Sequence, residues 1–213
     1  MKIMKLYNKL FITGCDSNTK WMLPWFKEKF YKHMPNAHLE VFDFDTRFLG
    51  CQTWFKKPSS MIAASGMARS VCWLDTDCEI RSNIEDIFNY AEHNKLSLVE
   101  DVPWTKRRGE TWHNSGVVVF KGLPSILANW AKVCKIKSSE STHPMYGDQD
   151  ILHELVGQNL NRIVSIIDIP RGYNVLRLDL LDNTNPPNIK VMHWTGAKGK
   201  AEIKKQMISE TIK

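Results

Sequence analysis

The chain opens on a strand, a helix and a second strand in immediate succession, and this order constrains the fold more than any other feature. Leu10-Phe-Ile-Thr13 is a short apolar run, closed by the turn-forming Gly14-Cys-Asp-Ser-Asn18. Trp21, Met22, Trp25, Phe26, Phe30 and Met34 then recur at helical spacing, with Pro24 tolerable only in the first turn. Pro35-Asn36 stops that helix, and His38 to Asp45 alternates like a strand. Such an opening marks an α/β fold with a mixed, mostly parallel sheet flanked by helices.

The rest of the chain continues in the same style. A Trp/Phe/Lys-rich loop leads to a short helix over Pro58 to Ala68, and Val71-Cys-Trp-Leu74 reads as a buried strand. Further strands are expected at Leu96 to Val99, Val117 to Phe120 and Ile163 to Ile169, with a loop from the first of these to about Trp112. Helices are expected at Ser125 to Lys137 and Asp148 to Gly157, separated by a polar linker, Ser138 to Tyr146. With 213 residues there is room for one well-buried domain and little for two. The reading is of one domain over residues 1–200, followed by a basic amphipathic helix over 201–213 packed on or beside it. Ile203, Met207, Ile208 and Ile212 form the apolar stripe of that helix.

Composition excludes several classes. No apolar run approaches the roughly 20 residues that span a bilayer, and the N-terminus has no uninterrupted apolar core of the signal-peptide kind. Cys15, Cys51, Cys72, Cys78 and Cys134 include no Cys-x-x-Cys pair and suit a reducing, cytoplasmic setting. The net charge of +6 favours an anionic partner.

Chemistry concentrates at four places. Asp75-Thr76-Asp77 follows the buried strand, and in an extended chain its two carboxylates point the same way. Paired carboxylates repel unless a cation sits between them, and Mg2+ or Mn2+ suits such ligands. Asn114-Ser115-Gly116 opens a strand where small residues let a ligand approach the backbone. Asp148 and Gln149, at a helix start, offer an acceptor and a donor to a polyhydroxylated ligand; capping is the plainer role for Asp148. His193-Trp-Thr-Gly196-Ala-Lys198-Gly-Lys200 combines a metal-capable imidazole, glycine freedom and two ammonium groups.

These elements, in this order, resemble the GT-A fold nucleotide-sugar glycosyltransferases, specifically the retaining family that includes glycogenin and bacterial lipopolysaccharide galactosyltransferases. The resemblance runs from about Leu10 to Lys200. It implies that Thr13-Gly14-Cys15-Asp16 holds a uridine, and Lys57 stands in the Lys-Pro step before the metal strand. Asp75-Thr76-Asp77 matches the Asp-x-Asp metal motif, and Asn114, Ser115 and Gly116 match the strand start near the donor sugar. Asp148 and Gln149 match the catalytic pair at the reacting sugar. His193 matches the third metal ligand, in a His-x-x-Gly loop completed by Gly196. Gly199 stands where the family carries its phosphate-binding lysine, so the role falls to Lys198 or Lys200 or to neither. The implied activity is Mn2+- or Mg2+-dependent transfer from a UDP-sugar with retention.

An acceptor site is expected at Trp104, Lys106, Arg107, Arg108 and Trp112, where three cations between two tryptophans suit an anionic acceptor. A modified nucleic acid such as DNA, a phosphorylated glycan and a lipid headgroup all have that character. The alternatives are a nucleotidyltransferase of similar fold and a catalytically silent nucleic-acid-binding protein.

Overall fold

The computed structural model describes residues 7–140, 146–157 and 160–211. Most of the expected polar linker, and Ile212 of the C-terminal stripe, lie outside them. The opening unit is β1 (Tyr7–Cys15), α1 (Leu23–His33) and β2 (Leu39–Asp43), with Pro24 in the first turn of α1. Next come α2 (Lys57–Ser65), β3 (Ala68–Leu74), β4 (Cys78–Ile80), β5 (Leu96–Glu100) and α3 (Val102–Arg108). After these follow β6 (His113–Lys121), α4 (Ser125–Glu140), α5 (Asp148–Val156), α6 (Leu160–Ser165) and β7 (Ile166–Asp168). The chain ends with β8 (Val175–Leu176), α7 (Arg177–Leu181), β9 (Val191–His193) and α8 (Gly196–Thr211).

The main sheet has the order β2-β1-β3-β6-β5-β7, and β6 alone runs against the others. Its strands are covered on both faces. Leu10, Ile12, Val71, Trp73, Val118 and Phe120 point into one core with Trp130 of α4 and Ile151 of α5. The alternate residues Phe11, Cys72, Leu74, Val117 and Val119 point into a second core with Phe26 and Phe30 of α1. A smaller sheet, β4-β9-β8, sits beside it. Helix α8 buries Ile203 in the second core and leaves Ile208 62 % exposed, so the apolar stripe faces two ways. Trp25 Nε1 donates to Gln206 at 3.1 Å and Lys29 pairs with Glu210, tying α8 to α1. Among the described residues no helix is long and apolar enough to cross a membrane.

Three local expectations are corrected. The stretch before Trp112 contains a helix, α3: Asp101 caps it by accepting from Trp104 N at 3.0 Å, and Gly109 closes it in a left-handed conformation. Residues 163–165 belong to α6, where Ile163 and Val164 are exposed, so their apolar character does not mark a strand interior. Strand β6 begins at His113, which places Asn114 to Gly116 inside a strand instead of at its opening.

Candidate active site

Because β6 is reversed, its first residues reach the same sheet edge as the last residues of β1 and β3. A cavity of about 290 Å3 opens there. It is the crevice at the strand carboxyl ends where open α/β sheets take their ligands.

Asp75 and Asp77 face this cavity, although not by strand alternation. Strand β3 ends at Leu74, and Cys78 N donates to Asp75 O at 3.0 Å, so residues 75–77 form a turn and Thr76 lines the cavity too. Antiparallel pairing of β4 with β9 sets Cys78 opposite His193. That register delivers the imidazole to the carboxylates: Nε2 lies 3.1 Å from Asp77 Oδ1 and 3.7 Å from Asp75 Oδ2. Burial opposes the charged ring, yet Asp77 and then Asp75 more than offset it and raise the proton affinity of His193. Burial also opposes the Asp77 carboxylate, but His193 and Lys200 hold its pKa below the ordinary value. A β-carbon at Gly116 would lie 2.1 Å from His193 Cε1, so glycine leaves the space that the ring occupies.

Two carboxylates and an imidazole form a donor set that fits Mn2+ well and Mg2+ less closely. Cys78 Sγ also lies within reach of Asp77 and His193. Burial, with Asp75 and Asp77 nearby, keeps that thiol protonated, and it points at Gly116 O at 3.8 Å.

Lys57 holds the opposite wall. From the first turn of α2 its Nζ reaches Asp75 at 3.0 Å, Asp148 at 3.2 Å and Ser115 Oγ at 3.1 Å. Burial works against its charge, but the two carboxylates prevail and raise its pKa. Asp148 receives a second hydrogen bond from Ser115 Oγ at 2.9 Å, and burial raises its pKa against the pull of Lys57. Gln149 Oε1 accepts from Asn114 Nδ2 at 3.0 Å and Ser115 N at 3.2 Å, while its Nε2 faces Asp101 at 3.4 Å. Burial raises the pKa of Asp101.

Of Thr13 to Asp16, Gly14 alone lines the cavity. Thr13 is fully buried, its hydroxyl without a hydrogen-bond partner among the described residues, Cys15 is buried, and Asp16 is engaged by Thr19 and Thr53. Asn114, Ser115, Gly116, Gly196 and Lys200 all line it. Lys198 is exposed and does not. A side chain at Gly199 would meet the Trp194 carbonyl, its β-carbon 2.0 Å from the oxygen, so this backbone has no room there for a lysine. Thr19, Phe44, Thr53, Trp54, Trp73 and Thr195 also line the cavity without having been singled out in the sequence. Trp73 donates to Asp75 at 2.6 Å and stacks in parallel on Phe44; its only sequence signal was proximity to the acidic pair.

The three adjacent cations diverge around α3. Arg107 is bound bidentately to Asp182 at 2.8 and 3.1 Å, whereas Arg108 lies over both Trp104 and Trp112, 5.2 and 5.6 Å from the ring centroids. Lys106 is exposed. Trp112 is buried and stacks on His153, with ring centroids 3.8 Å apart.

No protein-family profile and no curated protein matches the chain. Solved structures do. A glycosyltransferase involved in glycosylation of the major capsid of PBCV-1 aligns with a TM-score of 0.61 at 14 % identity, over 94 % of this chain and 98 % of that one. The galactosyltransferase LgtC, solved with donor and acceptor sugar analogues, aligns at 0.58 and 13 %, over 88 % and 87 % of the two chains. GlyE of Streptococcus pneumoniae TIGR4 aligns at 0.55 and 14 %, over 89 % of this chain and 55 % of that one. The fold is therefore that of the GT-A glycosyltransferases.

Proposed function

We propose that the protein is a metal-dependent glycosyltransferase that moves a sugar from a UDP-sugar to an acceptor hydroxyl with retention of configuration. The observation that carries this reading is the convergence of Asp75, Asp77, His193 and Lys200 with Asp148 and Gln149 on one cavity of a GT-A fold.

Asp75, Asp77 and His193 hold Mn2+ or Mg2+. When bound, such an ion supplies Lewis-acid stabilisation of charge on a departing diphosphate. Lys200 adds a positive charge at the same wall, in the role that Gly199 cannot fill. Asp148 and Gln149 orient the sugar, and Gln149 stands nearest the reacting carbon. A solved form of LgtC is an active-site glutamine-to-glutamate mutant, which agrees with a working glutamine in such a site. The acceptor proton passes to a donor phosphate oxygen. The anionic acceptor approaches along α3, where Trp104 and Arg108 give a flat, cationic surface. Five free cysteines suit a reducing, cytoplasmic setting.

The test is incubation with a panel of nucleotide-sugars, with and without Mn2+, followed by NMR of the released sugar. Mn2+-dependent turnover of a UDP-sugar with its anomeric configuration kept supports the reading. Turnover of nucleoside triphosphates alone would favour a nucleotidyltransferase instead.

A further inference from the structure

We infer that Asn174 is a positioning residue that fixes which nitrogen of His193 faces the metal site, under instruction from the backbone amide of Gly116. The inference rests on the metal reading above.

Amide oxygen and nitrogen are told apart by their partners, and here a backbone donor settles the polarity. The N–H of Gly116 can only donate, and it lies 2.9 Å from the Asn114 side chain, so the atom facing it is Oδ1. The same Oδ1 is 2.8 Å from the Asn174 side chain, so the Asn174 atom there must be the donor, Nδ2. The other end of the Asn174 amide is then Oδ1, an acceptor, and it stands 3.1 Å from His193 Nδ1. His193 Nδ1 must carry a proton to satisfy it. When a cation displaces the proton that the carboxylates favour, Nε2 is thereby the nitrogen left to offer a lone pair, and it is Nε2 that faces Asp75 and Asp77.

An independent donor confirms the polarity at the far end. Ser115 N–H fixes Gln149 Oε1, which accepts from Asn114 Nδ2 and so again leaves Oδ1 toward Asn174. Asn174 and His193 are almost wholly buried, so water cannot substitute for either contact without new space. A ligating histidine whose remote nitrogen is pinned in this way is held in tautomer and in ring orientation together. The chain also joins the ligand of the metal to Gln149 at the sugar side through two asparagines.

Mn2+ affinity, read by electron paramagnetic resonance of the free ion, tests this without turnover. Asn174→Ala is expected to weaken Mn2+ binding by about 10–100-fold. In a His193→Ala background the same change should do nothing further, because its effect passes through the imidazole. Losses that add in the double variant overturn the inference while leaving the metal site standing. Unchanged Mn2+ affinity in His193→Ala overturns the metal reading and the inference with it. A second measurement uses the unaltered chain, loaded with diamagnetic Zn2+ and followed by 15N NMR of the imidazole. His193 should show a protonated Nδ1 and a metal-shifted Nε2; the reverse pattern overturns the proposal.

Discussion

Lys57 meets Asp75 at 3.0 Å inside the cavity wall, with the lysine side chain almost entirely withdrawn from solvent. A buried ammonium between carboxylates is costly to desolvate and costlier still to remove, because the charges left behind are uncompensated. Lys57→Met is expected to destabilise the fold by about 3–5 kcal/mol in urea unfolding. A loss under about 1 kcal/mol would mean that Lys57 does not hold these carboxylates in solution.

Asp77 differs from Asp75 because, among the described residues, no lysine or tryptophan side chain bonds to it; its side-chain partner there is His193. Asp77→Asn should therefore keep the fold and lose the chemistry. An ion's charge stabilisation is worth several kcal/mol, so Mn2+-dependent turnover should fall at least about 100-fold. Near-normal turnover would remove Asp77 from the metal site. Asp75→Asn is a poorer probe, since it also disturbs Lys57.

Gln149 is expected to matter to the transition state more than to donor binding. Gln149→Ala should lower kcat by at least about tenfold and leave the KM for UDP-sugar within about threefold, the pattern of an interaction strongest at the transition state. Loss confined to KM would make Gln149 a simple binding residue.

The α3 cations separate into two experiments. Arg107→Ala removes an exposed pair with Asp182, worth about 0.2–1 kcal/mol, and should leave acceptor kinetics alone. Lys106→Ala with Arg108→Ala should weaken an anionic acceptor and flatten its salt dependence at unchanged donor affinity. Acceptor use that ignores the double change would assign the basic surface elsewhere.

Asp168 gives a pH-dependent contribution with a definite sign. Its hydrogen bond from His113, helped by Arg162, holds the carboxyl below its ordinary pKa, outweighing partial burial. A group depressed in the folded state stabilises above its unfolded value, near 4, and loses that contribution as pH falls through the folded value. More than half of the side chain is exposed, so the effect is about 1 kcal/mol or less. Urea midpoints of Asp168→Asn should lie below those of the parent at pH 6 and converge with them near pH 2. Parallel curves would refute the assignment.

The main lines of the fold were legible because they are written locally. Trp21 to Met34 carries a helical period and Val71 to Leu74 a buried strand, and both stand where expected. The short helix α3 was missed because its cap, Asp101, and its stop, Gly109, bracket residues that read first as cations and aromatics. The acidic pair was visible as Asp75 and Asp77, but its geometry was not, because a turn replaces the expected extended chain. Asn174 left no trace in the sequence at all. A single asparagine becomes meaningful only once β6 and β9 have been placed on either side of it.

The pairing of β4 with β9 joins Cys78 to His193 across more than half of the chain. Closing so long a loop is slow relative to local pairing, and every strand of the main sheet has already appeared in sequence by Asp168. During synthesis, the sheet and both acidic residues therefore emerge before the histidine that packs against them. On the proposed reading, a nascent chain would hold its sheet scaffold and both carboxylates before the residues after Asp168 deliver the imidazole that finishes the cation site.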